Sequence, residues 1–204
     1  MQVHVVDEEA ASRRSLGIVL QRLGHKVRYF LSGPSLLGAE DLEPGCVLLE
    51  LRMPDLTGLD VLNELGDRRD TLPVIIMTAL EDVGTAVAAM KLGAIDVLAK
   101  PVQMDDLVSS LEQADCVLRR SVRRHDVAKR AESRLRRLTR RERQVLAGVA
   151  QGLTNKAIGQ NLGISPRTVE IHRAHLTEKL DVHNLSELLR LVYESGLDSD
   201  DAAA

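Results

Sequence analysis

The chain has 204 residues, 44% of them hydrophobic and 28% charged, with two Tyr, one Phe and no Trp. That is enough for two ordinary domains with aliphatic cores, and its longest apolar run, around Val74 to Leu80, is far too short to span a bilayer. The formal charge of −3 hides a polarity: ten basic and nineteen acidic residues in 1–115, seventeen and eight in 116–197, and three further acids in 198–204.

The opening Met1-Gln2-Val3-His4-Val5-Val6-Asp7 has no basic n-region and no cleavage pattern, so no signal peptide is expected. It begins a series of βα units. Val3–Val6, Lys26–Phe30, Val47–Leu49, Pro73–Met77 and Ile95–Leu98 are short runs of β-formers bounded by Gly, Pro or Asp. Between them lie helical patterns at Ser12–Leu23, Gly33–Leu37, Leu59–Leu65, Val83–Leu92 and Met104–Leu118. The expected fold is α/β, a five-stranded doubly wound parallel sheet whose strand ends share one crevice.

Into that crevice the strands would bring Asp7, Glu8, Glu50 and Thr78, with Lys100 two residues past the fifth strand. Clustered carboxylates repel unless a cation or protons compensate. An oxygen-only donor set with room for water suits Mg²⁺. A lysine and a hydroxyl add partners for phosphoryl oxygens, so the set suits transfer of phosphate to a carboxylate. Acidic strand ends without that role are the alternative. Cys46 and Cys116 fit neither a zinc nor a thioredoxin spacing. Both are expected to be small apolar residues in a reducing cytosol, the alternative being a redox switch.

"VVDEE", "LLELRMPDLTG", "VIIMTA" and "AIDVLAKP" stand in the order and at the distances of one known family. Residues 1–115 resemble the receiver domain of bacterial two-component response regulators. The resemblance implies a phosphoacceptor position at Glu50, an acidic pocket at Asp7 and Glu8, switch positions at Thr78, Lys100 and Val97, and a cis Lys100–Pro101 bond. The metal positions it implies are Asp7, Glu8 and Glu50. Three residues depart from the family. Glu50 replaces the acceptor Asp, Glu8 replaces a metal-binding Asp, and Val97 replaces an aromatic. An acyl phosphate on Glu50 would lie about one C–C bond too far out, and the longer Glu8 would crowd Mg²⁺. Glu50 is therefore read as a partial stand-in for a phosphorylated Asp. The alternatives are that it still accepts phosphate, or that it is a structural relic.

Residues 116–137, "CVLRRSVRRHDVAKRAESRLRRL" in its longer form, hold no Gly or Pro and predict an Arg-rich helical linker, solvated and semi-rigid. Its heptad is too broken for coiled coil to be the first reading. From 138 to 197 helix signals are dense. Thr139-x-x-Glu142 is a capping box for a helix to about Ala150. Thr154 caps Asn155–Leu162, and Ser165-Pro166 opens a helix to about Leu180. A fourth runs from about Asn184 to Ser195. A short helix, a Gly turn and a second helix make a helix-turn-helix in a small all-α bundle. Val169, Leu176 and Leu180 share the inward face of the third helix. Arg167, Glu170, Ile171 and Ala174 lie opposite, flanked by Thr168, His172, His175 and Lys179, a surface suited to the major groove. An interaction bundle is the alternative. His172 and His175 lack a third metal ligand in register.

"LTRRERQVL", "GLTNKAIGQNLGIS" and "TVEIHRAHLTEKL" resemble the LuxR-type DNA-binding domain, and the whole chain resembles response regulators of the NarL/FixJ subfamily. The resemblance implies base contacts from Glu170, Ile171 and Ala174, and phosphate-side or framework roles for Lys156, Thr168, His172 and Lys179. It also implies dimer contacts on the fourth helix at Leu185, Leu188, Leu189 and Val192. The expected protein is a cytoplasmic, non-enzymatic transcription regulator, a homodimer on double-stranded DNA, with an atypical receiver independent of phosphate. A conventional regulator driven by a sensor histidine kinase, or a receiver-based scaffold, are the alternatives. The tail, 198–204, is expected to be disordered.

Overall fold

The computed structural model of the protein describes residues 1–79 and 83–196; the expected disordered tail lies outside the described residues. The chain forms two compact units that meet between Val122 and Arg123. The first contains β1 (Gln2–Val6), α1 (Ala10–Arg22), β2 (Lys26–Phe30), α2 (Gly33–Leu37), β3 (Gly45–Glu50), α3 (Gly58–Leu65), a 3₁₀ turn (Gly66–Asp70), β4 (Val74–Thr78), α4 (Val83–Lys91) and β5 (Asp96–Ala99). Helix α5 (Met104–Leu135) begins in the first unit and ends in the second, which continues with α6 (Arg140–Ala150), α7 (Asn155–Leu162), α8 (Pro166–Leu180) and α9 (Leu185–Ser195).

The five strands pair in parallel in the order β2-β1-β3-β4-β5. Alternation along the strands divides the core in two. Val3, Val5, Cys46, Leu48, Ile75, Met77 and Leu98 face Leu20 of α1 and Leu107, Leu111 and Ala114 of α5. Val6, Phe30, Val47, Leu49, Val74 and Ile76 face Leu36 of α2, Val61, Leu62 and Leu65 of α3, and Ala89 of α4. Crossovers on both faces leave the carboxyl ends of β1 and β3 side by side where the winding reverses, the point at which such sheets form a crevice. Cys46 is sealed in this core and burial pushes its thiol up. Cys116, expected among apolar residues, is instead exposed.

Two glycines allow close approaches that matter below. A Cβ on Gly58 would lie 2.7 Å from the Glu50 carbonyl oxygen, so only glycine lets α3 start against the end of β3. In the second unit a Cβ on Gly159 would meet the Ile164 carbonyl oxygen at 2.7 Å, and Gly159 sets how tightly α7 turns into α8. The second core gathers Val145, Leu146, Val149, Ile158, Val169, Leu176, Leu180, Leu188 and Leu191. It also takes Ala131, Leu135 and Leu138. The end of the segment expected to be a solvated linker therefore packs as part of the second core.

Candidate receiver site and nucleic-acid interface

Strand β1 ends at Asp7 and β3 at Glu50, and both carboxylates are buried, 1% and 8% exposed. From the turn after β5, where Lys100–Pro101 is cis, Lys100 reaches back between them. Its ammonium donates to Asp7 Oδ2 at 2.8 Å and forms an ion pair with Glu50 Oε2. Asp7 Oδ2 also accepts from Ser12 Oγ at 2.7 Å, and Asp7 Oδ1 from the Glu9 amide at 2.8 Å. Glu50 Oε1 accepts from the Arg52 amide at 3.2 Å. Two buried charges of one sign thus share one ammonium and are further held by hydrogen-bond donors, which is the condition for keeping carboxylates out of water.

Burial alone would raise the Asp7 carboxyl, but hydrogen bonds from Lys100, Ser12 and the Glu9 amide outweigh it and hold Asp7 below its ordinary value of 3.8. Burial alone would lower the Lys100 ammonium, but its bonds to Asp7 and Glu50 hold it above its ordinary 10.5.

The other expected members of the site fall differently. Glu8 is exposed, whereas Asp7 is buried. Thr78 is buried at the end of β4 but donates no hydrogen bond to Glu50 among the described residues. Val97 is half-buried and lines a shallow apolar hollow with Ala86, Val87 and Met90 of α4. Among the described residues no three His, Cys, Asp or Glu side chains converge to hold a metal. Of the residues expected to hold Mg²⁺, Glu8 is exposed, and Asp7 and Glu50 both contact the Lys100 ammonium.

In the second unit Ser165 caps α8 by accepting from the Thr168 amide, and Gly163 adopts the left-handed conformation between α7 and α8. Val169, Leu176 and Leu180 are fully buried. Arg167, Glu170, Ile171, Ala174 and His175 are exposed on α8, Thr168 and His172 are half-buried, and Lys156 is exposed near the start of α7. The face expected to read base edges is thus presented to solvent. Ile171, half exposed, is its one large apolar member.

Three polar contacts brace this helix, and none was visible in the apolar pattern. Arg173 Nη1 donates to Asn155 Oδ1 at 2.8 Å, tying α8 to the start of α7. Arg134 Nη2 donates to the carbonyls of Leu180 and Asp181 and so caps the end of α8. Lys179 Nζ donates to both oxygens of the buried Glu142 at 2.8 Å. Burial would raise the Glu142 carboxyl, but the Lys179 and Thr139 hydrogen bonds hold it below its ordinary value. Glu142 therefore completes the capping box of α6 and anchors α8 at once. Lys179, expected on DNA phosphate or in the framework, is exposed and paired with Glu142.

Of the α9 residues expected at a dimer contact, Leu188 is buried and Val192 packs partly against the core. The exposed stripe is Leu185, Leu189 and Tyr193, the last 87% exposed.

Comparison with known proteins gives a consistent result. Residues 3–112 match the model of the response regulator receiver domain, and residues 136–192 that of bacterial regulatory proteins of the luxR family. The chain is 39% identical over 199 residues to the transcriptional regulatory protein FixJ of Bradyrhizobium diazoefficiens, covering 97% of each. Among solved structures it is similar to the response regulator StyR, with a TM-score of 0.74 and 33% identity over 95% of this chain and 98% of that one. Full-length FixJ from B. japonicum gives a TM-score of 0.58 at 39% identity, over 97% and 98%.

The ion cluster carries a pH signature. Asp7 is depressed, so its stabilising contribution is complete above about pH 4 and is lost as pH falls through its folded value. Lys100 is raised, so its contribution is complete below about pH 10 and is lost as pH rises through its folded value. Lys100→Met leaves two buried carboxylates without a cation. It should cost about 2–3 kcal/mol at neutral pH, less than a fully buried pair because Lys100 is partly exposed. Denaturant unfolding at neutral pH checks this. Lys179→Met should lower the stability of the second unit by about 1–3 kcal/mol, since Glu142 is left buried and unpaired, and should leave the salt dependence of DNA binding unchanged. Thermal melting beside a salt titration separates that outcome from the loss of a phosphate contact.

Proposed function

The chain belongs to the bacterial response regulators that join a receiver domain to a LuxR-type DNA-binding domain, the FixJ type, and from that premise we propose that its receiver holds a set point independent of phosphorylation. The protein is a DNA-binding transcriptional response regulator, in a family of regulators rather than enzymes. No helix among the described residues is long and apolar enough to cross a membrane.

The observation that carries the proposal is the Glu50–Lys100–Asp7 cluster. In a receiver with Asp at this position, phosphorylation adds negative charge that a lysine can meet. Here the longer Glu50 side chain delivers its own carboxylate to Lys100. A phosphoryl group arriving at Glu50 would have to compete with both carboxylates for that one ammonium. Thr78 makes no hydrogen bond to Glu50 among the described residues, so Glu50 reproduces the lysine contact of a phosphorylated Asp without the hydroxyl contact.

On the output side, Glu170, Ile171 and Ala174 read base edges, with Glu170 accepting from a cytosine amino group. Arg167, Thr168, His172, His175 and Lys156 flank them towards phosphate. The protein acts in the cytoplasm as a homodimer on double-stranded DNA. Leu185, Leu189 and Tyr193 of α9 pair in the DNA-bound dimer, and Val83, Val87 and Met90, exposed on α4, make a second contact between receivers. Apolar stripes of this kind on a charged surface support association.

The test compares wild type and Glu50→Gln, each with and without acetyl phosphate. Wild type should gain no phosphoryl mass and keep its operator affinity. Glu50→Gln, which keeps the length but loses the charge, should weaken operator binding by up to about thirtyfold, the equivalent of about 2 kcal/mol. A phosphoryl group on Glu50 with tighter binding, or equal affinities for the two proteins, overturns the reading.

A further inference from the structure

We infer that the C-terminal part of α5 is a second DNA-binding surface, an arginine stripe that grips the phosphate backbone beside the sequence read by α8. The inference rests on the reading of α8 as the base-reading helix and extends the footprint beyond it.

Residues 123–137 carry Arg123, Arg124, Lys129, Arg130, Arg134, Arg136 and Arg137 against only Asp126 and Glu132. The stretch belongs to the same compact unit as α8, and Ala131, Leu135 and Leu138 fasten it into that unit's core. At 100° per residue, Arg123, Arg130 and Arg134 fall on one flank of the helix. Arg137, whose amide reaches the Arg134 carbonyl, continues the same course. The position of that flank is set by Arg134, which caps the last carbonyls of α8. The stripe therefore starts at the end of the reading helix.

Its pairing pattern distinguishes it from an ordinary solvated charged face. Arg119, Arg136 and Arg190 each have an acid one turn away, at Asp115, Glu132 and Glu194. Arg123, Arg130 and Arg137 are exposed, and none makes an ion pair or side-chain hydrogen bond with a described residue. A row of unpaired guanidinium groups, fixed by the core and by Arg134, repels itself until a polyanion meets it. An element lying in the major groove has a phosphate strand on either side, and Arg is suited to grip phosphate without reading sequence. The occupant is duplex DNA flanking the operator.

The test uses two full-length double variants of equal charge loss, Arg123→Gln/Arg130→Gln on the stripe and Lys129→Gln/Arg136→Gln on another flank of the same helix. Their affinity for a long random-sequence duplex is followed against salt, with melting curves to confirm folding. Each lost phosphate contact should reduce the slope of log affinity against log salt by about 0.9. The stripe variant should therefore lose about two units of slope and the other double almost none. Equal slopes for the two doubles, whether both unchanged or both reduced, overturn the stripe. If wild type shows no preference for any selected sequence over random duplex, the reading of α8 fails instead, and a slope change confined to the stripe variant still supports this surface.

Discussion

The ammonium of Lys100, set between the carboxylates of Asp7 and Glu50, is the interaction on which the receiver unit turns. A doubly wound sheet collects polar groups at the carboxyl ends of its strands, and here two of them are buried acids. Such a pair is tolerable only with a cation close by. The chain supplies one from Lys100, the residue that directly follows its fifth strand. The rest of the crevice follows. Glycine at 58 brings the start of α3 against the Glu50 backbone, and Ser12 and the Glu9 amide complete the shell of Asp7. Glu8 is left to water. One methylene more at position 50 than an aspartate would have is what brings the second carboxylate within reach of the lysine.

The second unit solves a related problem by the same means. Helix α8 must expose a polar face with a single half-exposed isoleucine, so only its other side packs into the core. Arg173 with Asn155 adds a polar brace near the middle of the helix, and Glu142 with Lys179 and Arg134 with the Leu180 and Asp181 carbonyls add two more at its end. The exposed residues Glu170, Ile171 and Ala174 take no part in these braces, so changes there should leave the bundle folded.

Much of this was legible in the residues. Strands ending in carboxylates, a lysine after the fifth strand, Thr139-x-x-Glu142 and Ser165-Pro166 each act through local chemistry that survives any tertiary context, and the elements fell within a few residues of expectation. What was not legible depends on where long side chains go. Periodicity identifies an apolar face; it does not say that Lys179 folds back onto a buried acid 37 residues away rather than towards solvent. The apolar residues Leu185, Leu188, Leu189, Leu191, Val192 and Tyr193 of α9 share one broad face, and the pattern within that face does not separate the core-facing Leu188 from the exposed Tyr193.

The account stands on Lys100 filling the place a divalent cation would need. Titrating Mg²⁺ into the protein while following the Lys100 ammonium and the backbone amides around Asp7 and Glu50 by NMR tests it directly. The account predicts no saturable change at these positions through the millimolar range, with the Lys100 ammonium protected throughout. A saturable response at Asp7 and Glu50, accompanied by release of the Lys100 ammonium to solvent, would contradict it.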